Sequence, residues 1–472
     1  MAHELCFLTA VELVRRIRSR EVSAREVMDA HLEQIDRINP KLNAIITYLP
    51  ERGREGAAAA DEKQARGEEL GPLHGLPVAH KDLVTTAGIR TTWGSPIYRD
   101  YVPDQDALIV ERLKKGGALT IGKTNVPEFG AGSQTFNPVF GATPNPYDLT
   151  KTCGGSSGGA AVAVAAGMIP IADGSDTGGS LRNPANYCNV VGFRPSPGRV
   201  PMWPNEIGWY PISVQGPIAR TVEDIALMLT ALAGPDPRSP IAIAEPGSRF
   251  AEPLERDFKN VRIAWSRDLG GLPVDPRVSD AIESQRPTFE QTLGCVVEDA
   301  DPDFTDADEI FKAWRAWRFE LRFTPLIEQY PDLIKDTIKW NAQEGTKLTG
   351  PQLSRIEKKR TELYHRLRVF MEKYEYLICP VSQVPPFDIT QPYITEINGQ
   401  QMGSYIDWMK SCYYITVTGH PAISMPCGFT PEGLPVGVQI VGRHQDDFGV
   451  LQLAYAFQQA TRVAWRHPEI AL

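Results

Sequence analysis

The sequence lacks any segment that would carry it into or across a membrane. Its longest apolar run, residues 158–172, is rich in Ala and Gly, contains Pro170 and is too short to span a bilayer as a helix. The first residues have neither the basic head nor the sustained apolar run of a secretion signal. We therefore expect a cytoplasmic protein that has no membrane partner.

Paired cysteines and an excess of basic residues are also missing. The seven cysteines are scattered and none belongs to a CxxC pair, so the sequence indicates neither a disulfide framework nor a zinc site. Acidic residues outnumber basic ones by 58 to 49, and the net charge of −9 argues against a nucleic-acid partner. We expect no metal and no other cofactor, and the composition leaves a homodimer open.

What the sequence does contain is an alternation of helix and strand patterns. Capping boxes at Thr9–Glu12 and Ser23–Glu26 predict two amphipathic helices near the start. Residues 158–167 and 221–232 predict two more helices. Strand patterns lie at residues 42–48, 75–84, 118–121, 169–173, 262–268, 295–300, 376–381, 422–427 and 436–442. This alternation predicts an α/β fold in which a single domain, residues 1–472, has a central mixed β-sheet covered by helices.

One glycine-rich segment, residues 117–124, matches the G-x-x-x-x-G-K-T pattern of a phosphate-binding loop. Such a loop is irregular and lies between a strand and a helix, whereas residues 118–121 form a strand pattern themselves. Pro127 interrupts the segment that follows. We expect a strand that runs into a turn, and an ATP-binding protein is the weaker alternative.

A second segment, residues 154–158, matches the G-x-S-x-G pattern of a nucleophile elbow, with His365 or His420 as its base. An elbow directly follows a buried strand, but residues 145–153 are polar and typical of turns. A Ser-His-Asp hydrolase is therefore a weaker alternative. We expect His80 and His420 to be structural, because no Asp or Glu lies at a recognisable spacing from them.

Three further segments follow one another along the chain: Lys81 in GLPVAHKDL, Ser156 in TCGGSSGG and Ser180 in GSDTGGSLRNPA. Together they resemble the amidase signature family of serine hydrolases. In that family the first serine of the GGSSGG run lies 24 positions before the nucleophile, which is also the separation of Ser156 and Ser180. The resemblance extends to GKTNVPEF, NPVFGATPNPYD and GHPAISMPCGFTPEGLPVGVQIVG, and its core covers about residues 70–235 and 376–460.

The resemblance implies an amidase that hydrolyses a carboxamide through an acyl-enzyme, with a small-molecule amide and water as its substrates. Ser180 is then the nucleophile, Ser156 relays a proton, Lys81 is the base, and the Gly155–Ser156 peptide bond is cis. A lysine acts as a base only when it is neutral, and burial can lower its pKa by several units.

The loop around the implied nucleophile has the features of an oxyanion hole, because glycine leaves backbone N–H groups accessible. The closely spaced N–H groups belong to Thr177, Gly178, Gly179 and Ser180. We expect Asp176 and Arg182 to hold this loop by hydrogen bonds and not to react.

The substrate pocket is predicted from the helical segment at about residues 300–410, which varies within the family. Phe311, Trp314, Trp317 and Leu321 recur there at near-helical spacing. Large aromatic side chains favour apolar or aryl amides over small charged ones. The candidate substrate-binding residues are Phe129, Gly130, Gly132, Trp314 and Trp317.

Two alternatives share the implied acyl-transfer chemistry. An ester or carbamate hydrolase uses the same triad and differs only in its pocket. The glutaminase subunit of a tRNA-dependent amidotransferase has a related fold and works with a partner, but the tyrosine-rich glutamine-binding segment of that subunit is not recognisable in the central segment.

Overall fold

Fourteen α-helices and fifteen β-strands follow one another along residues 2–472, the part of the chain that the computed structural model describes. The helices are α1 (Ala2–Phe7), α2 (Ala10–Arg18), α3 (Ala24–Leu42), α4 (Pro50–Ala65), α5 (Leu108–Lys115), α6 (Gly158–Ala165), α7 (Arg182–Tyr187), α8 (Val222–Leu232), α9 (Pro276–Glu283), α10 (Ala307–Gln329), α11 (Asp336–Thr346), α12 (Gly350–Lys373), α13 (Lys410–Thr418) and α14 (Asp447–Thr461). The strands are β1 (Ile45–Tyr48), β2 (Pro77–Lys81), β3 (Leu119–Thr124), β4 (Phe136–Asn137), β5 (Gly141–Ala142), β6 (Ile171–Asp176), β7 (Val191–Arg194), β8 (Val214–Ala219), β9 (Arg262–Trp265), β10 (Val296–Asp299), β11 (Tyr376–Pro380), β12 (Glu396–Ile397), β13 (Gln400–Gln401), β14 (Ala422–Phe429) and β15 (Pro435–Val441).

Eight of these strands form the central sheet, in the order β10-β9-β11-β15-β14-β7-β8-β6. The β10–β9 and β9–β11 pairs are parallel, and the five remaining neighbouring pairs are antiparallel. A second sheet has the order β1-β3-β2. The structure confirms the predicted α/β fold of one domain with a large mixed sheet flanked by helices.

The two predicted capping boxes have different outcomes. At the start of α3, Ser23 Oγ accepts the N–H of Glu26 and the Glu26 carboxylate accepts the N–H of Ser23, so this capping box is confirmed. At the start of α2, Thr9 Oγ1 accepts the N–H of Glu12. The Glu12 carboxylate instead binds two arginines of its own helix, so the second half of this box is wrong.

Helix α6 is buried on all sides between the two sheets, as its sequence of Gly, Ala and Val permits. Gly159 is required there, because a Cβ atom at this position would lie 2.3 Å from the backbone nitrogen of Asn125. The small side chains let the backbone of α6 approach both sheets closely. The residues just before α6 therefore lie deep inside the protein.

The phosphate-loop alternative is wrong. Gly122, Lys123 and Thr124 belong to strand β3, which pairs with β2 on one side and β1 on the other. The Lys123 ammonium is buried and donates to the carbonyl of Val84 and to the hydroxyl of Thr86. A phosphate has no access to this lysine, because its ammonium is fully buried and is bound by the segment that follows β2.

The predicted helical segment at about residues 300–410 contains three helices, α10 to α12. The chain then returns to the central sheet through β11, which lies inside the predicted 300–410 segment. Across residues 2–472, no helix is both long enough and apolar enough to cross a membrane. The cytoplasmic location stays a prediction.

A buried charge network ties the end of β6 to its neighbours. The carboxylate of Asp176 accepts hydrogen bonds from Arg182 on α7 at 3.0 and 3.1 Å and from Arg194 on β7 at 3.1 Å. The N–H groups of Gly179 and Leu181 donate to the same carboxylate at 2.8 and 3.2 Å. Burial alone would raise the pKa of Asp176, but Arg182 and Arg194 outweigh it and hold that pKa well below its usual range. The expected supporting contacts of Asp176 and Arg182 are therefore present.

We predict that Asp176→Asn destabilises the fold, because it leaves two buried guanidinium groups without their carboxylate. Breaking such a buried charge pair costs about 3–5 kcal/mol. Urea unfolding at neutral pH measures the change in the free energy of unfolding. The matched control is Asp100→Asn at an exposed position, for which about 0.5 kcal/mol or less is expected. Equal stability of the two variants would contradict the assigned role of Asp176.

Candidate active site

The two sheets meet where β2 lies against β6. Asp173 on β6 joins them: its carboxylate lies 2.7 Å from Nδ1 of His80 and accepts the backbone N–H of Lys81 at 3.1 Å. His80 also lies 2.9 Å from Thr120 Oγ1 and is fully buried. His80 is structural as expected, but the stated reason was wrong, because its acidic partner is 93 residues away in the sequence.

Three serine hydroxyls surround the Lys81 ammonium group at the end of β2. Nζ lies 2.8 Å from Ser156 Oγ, 2.7 Å from Ser157 Oγ and 3.0 Å from Ser175 Oγ. Ser156 and Ser157 immediately precede α6, and Ser175 is on β6. The Gly155–Ser156 peptide bond is cis, as predicted. The contact of Lys81 with Ser156 was expected from the resemblance, whereas its contacts with the other two hydroxyls were not.

Burial lowers the pKa of the Lys81 ammonium to about 7, although the nearby Asp176 and Asp173 carboxylates oppose the shift. The side chain is fully buried, and neutral hydroxyls stabilise an ammonium less than water or a direct carboxylate contact does. Near neutral pH a substantial fraction of Lys81 is therefore uncharged. An uncharged lysine can accept a proton from a neighbouring hydroxyl.

Ser180 lies in the loop between β6 and α7. Gly179 in this loop has a φ of 117°, and a Cβ atom there would lie 2.5 Å from Cβ of Cys412. A Cβ atom on Gly178 would lie 2.9 Å from the ring of Phe311. Both positions therefore need glycine, because neighbouring side chains press directly against the loop.

The four predicted oxyanion-hole amides are not equivalent. The N–H of Gly179 donates to the Asp176 carboxylate at 2.8 Å and is already used. Within the described chain, the N–H groups of Thr177, Gly178 and Ser180 have no hydrogen-bond acceptor. These three N–H groups are therefore free to bind a ligand oxygen, and the oxyanion hole itself stays a prediction.

A cavity of about 400 Å³ opens beside this loop. Ser156, Ser175, Thr177, Gly178 and Ser180 line one part of it, so the two predicted catalytic serines face the same space. Aromatic side chains form much of the remaining wall: Trp93, Phe129, Trp203, Tyr210, Phe319 and Phe323.

Three of the five predicted pocket residues line the cavity. Phe129, Gly130 and Gly132 line the cavity. The prediction for Trp314 and Trp317 is wrong: their rings lie 6.0 and 6.2 Å from the ring of Tyr210, outside the lining residues.

The reason for this error is that α10 turns a different face toward the cavity from the one that was predicted. The aromatic residues Phe311, Trp314 and Trp317, here called the aromatic stripe, pack against rings of neighbouring elements. The adjacent face of α10 lines the cavity instead. That face carries residues which the sequence analysis missed: Arg315, Arg318, Phe319, Arg322 and Phe323.

Neither histidine proposed as the base of the nucleophile-elbow alternative lies at the cavity. His420 is buried against Thr418, His365 packs beside Tyr364, and neither histidine lines the cavity with Ser156. Among residues 2–472, no group of three or more His, Cys, Asp or Glu side chains is arranged to hold a metal ion.

Comparisons with known proteins agree on one family. The sequence model of the family described as Amidase matches residues 26–451. The chain is 35% identical to an acylamidase of Rhodococcus erythropolis, over 99% of this chain and 98% of the relative. It is also 35% identical to a glutamyl-tRNA(Gln) amidotransferase subunit of Moorella thermoacetica, over 99% of this chain and 100% of the relative.

A solved structure gives the same result. A bacterial aryl acylamidase of the amidase signature family matches this fold with a TM-score of 0.89 and 30% identity, and the match covers 96% of both chains. These similarities extend over both sheets and over the segments that hold Lys81, Ser156 and Ser180. This chain therefore belongs to the amidase signature family, whose enzymes hydrolyse carbon–nitrogen bonds.

Proposed function

We propose that this protein hydrolyses the carboxamide bond of a small molecule through an acyl-enzyme on Ser180. The observation that carries the proposal is the buried Lys81 ammonium, with a pKa of about 7 and with Ser156 Oγ at 2.8 Å. Such a lysine can act as a base at neutral pH, whereas an ordinary lysine stays protonated.

In the first half-reaction, Ser180 Oγ attacks the amide carbonyl and its proton passes to Ser156 Oγ. Ser156 gives its own proton to the neutral amine of Lys81. The N–H groups of Thr177, Gly178 and Ser180 stabilise the negative charge on the carbonyl oxygen. Lys81 then returns a proton through Ser156 to the leaving nitrogen, and the C–N bond breaks to release the amine.

In the second half-reaction, water attacks the ester carbonyl of the acyl-enzyme. Lys81 again accepts a proton through Ser156, and the same N–H groups stabilise the tetrahedral intermediate. The C–O bond to Ser180 breaks, the proton returns to Ser180 Oγ, and the carboxylic acid leaves. The enzyme regains its starting state, so no external co-reactant besides water is needed.

The aromatic wall of the cavity supports apolar or aryl amides as substrates. Aromatic side chains gain most from contact with flat apolar groups. An ester or carbamate could use the same steps, because its carbonyl is attacked in the same way. A glutaminase role within a tRNA-dependent amidotransferase is supported by the similarity to the amidotransferase subunit of Moorella thermoacetica.

Labelling should identify the nucleophile. A fluorophosphonate reagent should add its mass to the peptide that contains Ser180, and Ser180→Ala should lose both the label and turnover. Ser354→Ala, at an exposed position of α12, is the control and should keep both. Mass spectrometry of digested protein locates the label. Attachment to Ser156 in the wild type would falsify the assignment of Ser180.

The pH profile should report the base. Because the proton acceptor is neutral Lys81, kcat/KM for an uncharged substrate should rise about tenfold per pH unit below pH about 7 and level off above it. Lys81→Ala should lower kcat/KM by several orders of magnitude, since base and nucleophile act as a unit. A profile that is flat from about pH 5.5 to 9 would speak against Lys81.

Substrate preference should follow the aromatic wall. Acetanilides and aryl esters should have a kcat/KM at least roughly tenfold higher than acetamide or glutamine, since even one methylene in an apolar pocket contributes about 1–3 kcal/mol. Phe319→Ala should reduce the ratio of acetanilide to acetamide, and Trp317→Ala, which removes an aromatic ring outside the cavity lining, should change it less. A preference for glutamine, with release of ammonia, would favour the glutaminase alternative.

A further inference from the structure

Three arginines line the catalytic cavity from one face of α10. Arg315, Arg318 and Arg322 are separated by three and four residues, a spacing that brings side chains to the same side of a helix. The positions three and four residues away from each arginine hold no Asp or Glu. The helix itself therefore provides no acidic partner for these three cations.

The rest of the described chain provides few partners. Among residues 2–472, no carboxylate lies within 4.0 Å of the three guanidinium groups. Arg315 donates to the Tyr405 hydroxyl at 2.7 Å, and Arg318 donates to Ser213 Oγ. Arg315 is only 6% exposed, yet its Nε has no acceptor within the described chain. Buried donors without acceptors are uncommon and costly in folded proteins.

Aromatic rings hold the three guanidinium groups in place. A planar guanidinium that packs on a ring keeps its N–H edge free for a ligand. The distances from the guanidinium carbon to the ring centre are 4.3 Å for Arg315 on Phe319, 5.0 Å for Arg318 on Tyr210 and 5.5 Å for Arg322 on Phe323.

The charges around Arg322 favour an added anion. Burial, together with the like charge of Arg318, lowers the pKa of Arg322 to about 10, while Glu206 and Tyr98 act in the opposite direction. Glu206 also lines the cavity, but it is exposed. One carboxylate at the rim thus faces three guanidinium groups, and the cavity keeps an excess of positive charge.

We propose that Arg318 and Arg322, supported by Arg315, form a carboxylate-binding subsite, so that the preferred substrate is an apolar or aryl amide that also carries a carboxylate. Two guanidinium groups can bind the two oxygens of a carboxylate through charge-assisted hydrogen bonds. The aromatic wall then holds the apolar part that joins this carboxylate to the reacting amide. This inference rests on the proposed amide hydrolysis and adds the chemical class of its substrate.

The test compares matched anionic and neutral amides. Glutaryl-4-nitroanilide against pentanoyl-4-nitroanilide varies the charge on the acyl side, and 4-acetamidobenzoate against 4-acetamidotoluene varies it on the amine side. In at least one pair, kcat/KM of the anionic amide should be about tenfold higher or more, the effect of a charge-assisted hydrogen bond. The pair that shows the preference identifies the side on which the carboxylate lies.

Substitution of Arg322 should then reduce the preference. Arg322 makes no hydrogen bond within the described chain, so Arg322→Gln leaves no hydrogen-bond partner unpaired there, and it should lower the ratio of anionic to neutral kcat/KM by about tenfold, mainly through KM. Arg355→Gln makes the same change of charge at an exposed position of α12 and should leave the ratio unchanged. Ratios within about twofold of one in both pairs, or a ratio that Arg322→Gln does not change, would overturn the subsite.

A binding measurement separates this inference from the proposed reaction. In Ser180→Ala, at least one of the two anionic amides, 4-acetamidobenzoate or glutaryl-4-nitroanilide, should bind in isothermal titration calorimetry, and the added Arg322→Gln substitution should weaken that binding by about tenfold. Equal binding by both proteins would overturn the subsite even if amide hydrolysis is established. If the wild type turned over neither neutral nor anionic amides, that result would instead contradict the proposed function. The calorimetric comparison would still decide whether the subsite exists.

Discussion

Exclusion of water from the Lys81 ammonium is the constraint on which the rest of the site depends. Two carboxylates lie near enough to raise the pKa of Lys81, yet both are held by other partners. Asp173 binds His80 and the Lys81 backbone, and Asp176 binds Arg182 and Arg194. The ammonium itself contacts neutral oxygens, so desolvation dominates and the amine can be neutral near pH 7. The acids and arginines around the site thus support Lys81 without direct contact between their side chains and its ammonium group.

Much of the fold follows from local sequence patterns. The alternation of helices and strands predicted the mixed α/β architecture, and the capping box at Ser23 predicted the start of α3. Strands β7 and β8 escaped notice because both are buried on both faces and contain glycine, so they show no alternation of polar and apolar residues. Local sequence patterns also could not predict the order of strands in the central sheet, because it pairs β14 with β7, and β9 with β11, across long stretches of chain.

The candidate site could be proposed from the sequence where Ser156 and Ser180 lie in glycine-rich motifs of fixed order, and less so elsewhere. The hydroxyl partners of Lys81 depend on how β2, β6 and α6 meet, which no local spacing encodes. The aromatic stripe of α10 was assigned to the pocket because apolar and aromatic patterns are easily seen. The arginines of the adjacent face resemble ordinary surface charges. One signal was available: none of the three has an acidic residue at helical spacing, which is unusual for cations on a solvated helix.

In the cavity, the arginines proposed to bind the substrate lie apart from Lys81, the proposed base. Arg315, Arg318 and Arg322 line the cavity, whereas the Lys81 ammonium contacts Ser156 and can lose its proton there. A neutral base does not compete with the arginines for an anionic group, so a carboxylate is drawn to α10 and away from Ser180. Binding energy gained far from the reacting carbonyl can then orient the amide against the nucleophile. An ordinary protonated lysine would attract the same carboxylate and favour the unproductive orientation. In the proposed mechanism, the low pKa of Lys81 therefore serves orientation as well as proton transfer.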